Sequence, residues 1–209
     1  VTAACAVVVG GILYSVTTLL GPLELHGAGM SAGAIGMVFS GAATLYFAAS
    51  LVTSAAGRRL VTVSATVTIC VLGALSLAPA GLSAAPLVVI GVLCAAAASR
   101  SALWTVIYPL GEAGAVRAGV GLGVVFGLLN AASAITTFAT PLMAGIFADS
   151  FGRRATFELA VVACVGIFAL WWAYQRAHAS GRIAGDGTMT PAGLVQGCEA
   201  AARVPTFSK

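Results

Sequence analysis

The chain has 209 residues, of which 60% are hydrophobic and only 8% charged, with a net charge of +4. Soluble domains carry about 25% charged residues, and so few polar side chains cannot cover a water-soluble globule of this size. The basic residues stand singly or in pairs, without the basic, aromatic-interleaved stripe of a nucleic-acid surface, so a bilayer is the expected surrounding and no nucleic-acid partner is expected.

Six apolar runs of about 20 residues or more follow one another, near 1–20, 34–56, 60–79, 86–108, 118–147 and 155–174. They predict an all-α membrane protein with six transmembrane helices. The first run opens without a basic stretch before it, so a cleavable signal peptide is not expected. "GPLELHGAGMSAG" predicts the turn after the first run, with Glu24 and His26 in a solvated loop. "APAGLSAAP" predicts the turn after the third run, and "PLGEAGAVRAG" the one after the fourth. Pro141 predicts a bend in the long fifth run. The last 34 positions, 176–209, mix Gly, Pro and both charges, and predict a mostly disordered tail as a second region beside the membrane region 1–175.

Helical hairpins alternate sides, which sorts the cations into two sets. Arg58, Arg59, Arg117, Arg176, Arg182, Arg203 and Lys209 fall on one side, and Arg153 and Arg154 on the other. Seven against two predicts that the first set, with both chain ends, is cytoplasmic in a multi-pass protein of the cell membrane. Trp171–Tyr174 followed by Arg176 predicts an interfacial belt on that side. Cys5, Cys70, Cys94 and Cys164 lie within apolar runs and Cys198 in the tail, without C-x-x-C spacing, so they read as small fillers rather than disulfides or metal ligands.

Gly57-Arg58-Arg59 opens the third run and Gly152-Arg153-Arg154 the sixth. The same punctuation three helices apart, on opposite sides, is what a 3+3 inverted repeat produces. Gly permits the tight turn, paired Arg side chains bind helix-end carbonyls or lipid phosphate, and Asp149 can pair with Arg153 or Arg154.

"GIFADSFGRR" resembles the loop pattern G-x-L-A-D-R-x-G-R-R of the major facilitator superfamily, with Ser150 at the basic position, and "SLVTSAAGRR" resembles a degenerate copy with Ser54 for Asp. "LLGPLELHGAGMSAGAIGMVFSGAATLYFAAS" and "YPLGEAGAVRAGVGLGVVFGLLNAASAITTFATPLMAGIFAD" are similar to that family's passages between the first and second and between the fourth and fifth helices of a six-helix half. The resemblance covers essentially all of the membrane region. It implies the C-terminal half of a twelve-helix facilitator, with an N-terminal six-helix half, or a second copy, as partner. It also implies secondary active transport of a small solute by alternating access, drug or metabolite efflux with protons as a coupling ion, and neither enzyme activity nor a cofactor. The alternative is a free-standing six-helix protein, either a homodimeric half-transporter or a non-transporting assembly factor.

Facilitator halves place their first and fourth helices on the central cavity. Arg100, Trp104 and Tyr108 share a helical face on the fourth run. An Arg within a span costs about 2.5–3.5 kcal/mol on insertion scales and usually faces a cavity or a partner. Arg100 is therefore a candidate to hold an anionic substrate group or a carboxylate of the other half, with Trp104 stacking on the substrate; the alternative is an Arg snorkelling to the headgroups beside belt aromatics. Tyr14 and Thr18, with Thr17, are candidate substrate-binding hydroxyls, or else satisfy backbone carbonyls. Asn130 bonds substrate or a neighbouring helix. Gly119, Gly123, Gly127 and Ala131, like Gly36, Ser40, Thr44 and Ala48, form small-residue ladders for close helix association, expected against the opposite half. Glu158 is expected to pair with Arg154. "GVGLG" lacks the strand and the Lys-Ser/Thr of a nucleotide loop. A rhomboid-type serine protease needs a buried His, and both histidines lie outside the spans; a metalloenzyme needs clustered His, Asp or Glu within them, and none appears.

Overall fold

The computed structural model describes residues 1–83 and 85–185, without the side chains of 58, 59 and 178–185. Among the described residues the chain is helical throughout, with no strand. The helices are α1 (Thr2–Gly27), α2 (Ala32–Ala56), α3 (Val63–Leu75), α4 (Ala78–Leu82), α5 (Pro86–Ala118), α6 (Leu122–Phe151) and α7 (Arg153–Gly185), with a 3₁₀ turn at Gly57–Leu60. With α3 and α4 counted together as Val63–Leu82, six segments are long and apolar enough to span a bilayer. The protein is thus a multi-pass helical membrane protein.

Helix starts and stops follow local chemistry. Ser31 Oγ accepts from the Ala34 N–H to cap α2, and Thr62 Oγ1 accepts from the Ala65 N–H to cap α3. Pro86 sits in the first turn of α5, where its missing N–H is harmless. Gly57 (φ 58°, ψ −142°) ends α2 and Gly152 (φ 89°, ψ 156°) ends α6, a backbone region essentially restricted to glycine.

Two expected turns are shorter than the stretches that predicted them, lying at 28–31 and 119–121. The helix runs through "GPLELHG" to Gly27 and through "PLGEAGAVRA" to Ala118, so Pro22 and Pro109 lie inside α1 and α5, and Glu24 and His26 belong to the last turn of α1. Proline removes one helical donor at each place, and tertiary contact compensates. Gly21 lies under Leu93, Leu25 is fully buried beside Val89, and Gly111 lies under Leu129. The fifth span begins only after Gly119–Gly121, with Pro141 carried within helix α6. Helix α7 continues past Gln175 into the expected tail, of which 186–209 lie outside the described residues.

Residues Val1–Trp171 form one compact unit. Helix α1 is its axis: it packs on α3, α5 and α6, while α2 packs chiefly on α5. Leu13, Leu20, Cys70, Leu103, Ile107 and Phe157 are among the side chains of a single core. Trp171, expected in an interfacial belt, is instead buried there, and its indole N–H donates to Thr2 Oγ1 at 3.1 Å. That bond brings the start of the first span beside the end of the sixth, as an even number of crossings requires. The second unit is Trp172–Lys209, in which Arg176 lies over the Trp172 ring at 4.9 Å.

Candidate functional site

Three helices each present one face to a common pocket. Helix α1 supplies Leu13, Tyr14, Thr17 and Thr18; α2 supplies Phe39, Ala42, Ala43 and Tyr46; α5 supplies Leu93, Ala96, Ala97 and Arg100. On α2 and α5 the spacing is i, i+3, i+4, i+7, one helical face, with alanines at its centre. Their small side chains leave a pocket of about 190 Å³.

Arg100 stands at the end of the α5 face. Its guanidinium carbon lies 4.3 Å from the centroid of the Tyr14 ring and 4.8 Å from that of Tyr46. Two aromatic faces attract a cation, by about 0.5–2 kcal/mol each depending on desolvation, but accept none of its N–H bonds in its plane. The buried Nε has no hydrogen-bond partner, and no acidic side chain lines the pocket. Arg100 lies mid-way along a 33-residue helix, roughly 27 Å of rise from Ala118. The side chain turns to the two rings.

The hydroxyls beside it are largely committed. Thr17 donates to the carbonyls of Leu13 (2.6 Å) and Tyr14 (3.0 Å), and Thr18 to those of Tyr14 (2.8 Å) and Ser15 (3.3 Å). Tyr14 and Thr18 remain exposed toward the opening.

The stripe on α5 divides. Each step of four residues overshoots a full turn by about 40°, so Tyr108 stands about 80° round the helix from Arg100. Trp104 is outside the pocket, against the core, and stacks on Tyr108 with centroids 5.8 Å apart. Tyr108 meets the Phe126 ring edge-on and its hydroxyl donates to Asn130 Oδ1 at 3.3 Å, joining α5 to α6. Asn130 therefore bonds a neighbouring helix and lines a different surface from Arg100.

The second Gly-Arg-Arg also differs from expectation. Arg153 does not pair with Asp149: its Nη1 donates to the Leu23 carbonyl at 2.8 Å and its Nε lies 3.4 Å from Glu24 Oε1 in an ion pair. The turn at Gly152 sends Arg153 to the C-terminal end of α1, whose carbonyls attract a cation. Asp149 lines a groove with His26 and Arg153 without an ion pair of its own. Glu158 does not pair with Arg154 either; its Oε1 is enclosed, without a hydrogen-bond partner, where the carboxyl abuts Gly81. The side chains of Arg58 and Arg59 lie outside the description.

Gly36, Ser40, Thr44 and Ala48 on α2, and Gly123, Gly127 and Ala131 on α6, are all exposed, with open space above the glycines. Gly119 is not part of its ladder: it is the left-handed residue (φ 65°, ψ 25°) that closes α5. Sequence reasoning missed Tyr46 and Phe39; the available signal was their i, i+7 spacing across Ala42 and Ala43.

Comparison with protein-family models, curated proteins and solved structures found no match to this chain.

Proposed function

We propose that the chain is the C-terminal six-helix half of a transporter of the major facilitator type, moving a small solute across the cytoplasmic membrane by alternating access, in the direction of drug or metabolite efflux. The observation that carries this reading is Arg100: a mid-helix cation at a pocket between α1, α2 and α5, flanked by tyrosines and without a carboxylate in its lining. An uncompensated charge is expensive in a bilayer and marks a solute path more often than a structural site. In this reading α1 and α5 are the cavity helices, and Tyr14, Thr18 and Arg100 contact the solute. Trp104 and Asn130 support the α5–α6 contact.

The 3+3 repeat has support of its own. The second and fifth spans are alike in burial, at 6% of the apolar window, as are the third and sixth at 33%, whereas the first and fourth differ, at 61% and 33%. Gly57 and Gly152 both end the paired helices α2 and α6 with positive φ. The uncovered small-residue faces of α2 and α6 suit a second six-helix unit. Both chain ends are assigned to the cytoplasm by the distribution of Arg and Lys, and protons are the assigned coupling ion. The test is solute flux into vesicles containing the protein. Arg100→Ala should abolish it at near-normal expression; undiminished flux in that variant would remove Arg100 from the path.

A further inference from the structure

The chemistry of the Arg100 pocket narrows its ligand, given that the pocket is the solute site. We infer that it takes an organic monoanion, a planar carboxylate carried on one small, flat apolar body. The tyrosine rings lie against the guanidinium, so a ligand meets it at its edge, where the N–H donors project. An edge of paired N–H groups matches a carboxylate in two-point geometry.

The charge balance sets the valence. The pocket contains one cation and no acidic side chain, so one negative charge neutralises it and a second would stand uncompensated in a low-dielectric span. A cationic solute would face Arg100 directly. The remaining polarity is sparse, because the hydroxyl hydrogens of Thr17 and Thr18 are already given to backbone carbonyls. Besides Arg100, the uncommitted donors are the hydroxyls of Tyr14 and Tyr46, whereas Leu13, Phe39, Ala42, Leu93 and Ala96 form an apolar wall. Size sets the rest. A dry cavity of about 150 Å³ admits benzene, so the 190 Å³ here accommodates one aromatic ring and its carboxylate.

The probe is benzoate, with benzamide as its neutral isostere and benzylamine as its cationic counterpart, applied to the full native protein in liposomes. Radiolabelled benzoate should bind saturably, and excess benzamide or benzylamine should not displace it. Arg100→Gln should weaken binding at least about tenfold, the scale of a lost charge-assisted hydrogen bond, while Arg100→Lys restores only part. Gly127→Ala, outside the pocket and with nothing within 4 Å, should bind benzoate normally, and the partial recovery in Arg100→Lys certifies a folded pocket. Equal displacement by benzamide, unchanged binding in Arg100→Gln, or no binding to the wild-type protein would overturn the inference. The last result is what an Arg100 already paired with a carboxylate of another helix unit would give. Flux separates the two levels: Arg100-dependent benzoate binding without transport keeps the ligand class and overturns the transporter reading. Transport of benzylamine that survives Arg100→Gln keeps the transporter and overturns the ligand class.

Discussion

A methyl group added at Gly11 and one added at Gly127 should have opposite effects on stability. At Gly11 the new Cβ would stand 2.7 Å from Thr136 Cγ2 and 3.0 Å from Thr136 Cβ, inside the contact between α1 and α6. Thr136 cannot rotate away freely, because its hydroxyl is bonded to the Ala132 carbonyl at 2.8 Å. Overfilling such a contact costs about 1–3 kcal/mol, partly offset by the roughly 0.8–1.0 kcal/mol that Ala gains over Gly within a helix. At Gly127 nothing lies within 4 Å, so only the helix gain remains. Gly11→Ala should therefore be less stable than Gly127→Ala by about 1–3 kcal/mol. At about 2–4 °C per kcal/mol for 150–250 residues, that is a gap of several degrees in Tm. Thermal unfolding of the purified chain in mild detergent, followed by circular dichroism, measures it. A Gly11→Ala variant as stable as Gly127→Ala would refute the assignment of Gly11 to an internal helix contact and of Gly127 to an outward face.

Three further outcomes are expected. Arg153→Gln should cost about 0.5–1.5 kcal/mol, through loss of the half-exposed bonds to Glu24 and the Leu23 carbonyl, whereas Asp149→Asn should change stability by less than about 0.5 kcal/mol; equal losses in thermal unfolding would restore pairing within the turn. A double-mutant cycle with Tyr108→Phe and Asn130→Ala should give a coupling near 0.6 kcal/mol, typical of interhelical hydrogen bonds in membranes, and strict additivity would remove that bond. Cys198 should react with impermeant thiol reagents only from the cytoplasmic side and a Cys introduced by Ser83→Cys only from outside; labelling from the same side would rule out six crossings.

The spans were legible because uninterrupted apolar length is a bulk property that needs no partner. Their ends were not. Pro22 and Pro109 are strong local punctuation, but burial of Leu25 and the close approach of Gly111 to Leu129 hold the helix through them. Arg100 stood out as a lone charge within a span, yet its partners did not. A membrane helix is apolar on every side, so hydrophobic periodicity carries little information about which face meets which neighbour. That is why Tyr46 was missed and why Trp104 was grouped with Arg100 despite facing the core. The bond from Arg153 to the Leu23 carbonyl joins residues 130 positions apart, as the pairing with Glu24 nearly does, and nothing local announces it.

The central claim is that the Arg100 pocket lies on a path open in turn to both sides of the membrane. Ala97 lines that pocket. An Ala97→Cys variant, with Cys5, Cys94 and Cys198 changed to Ala, can be treated in native membranes with an impermeant thiol reagent from one side at a time; the remaining Cys70 and Cys164 are fully buried. Alternating access predicts labelling from either side, with the balance between the sides shifted by transported solute. Labelling from neither side, or from one side regardless of solute, would contradict it.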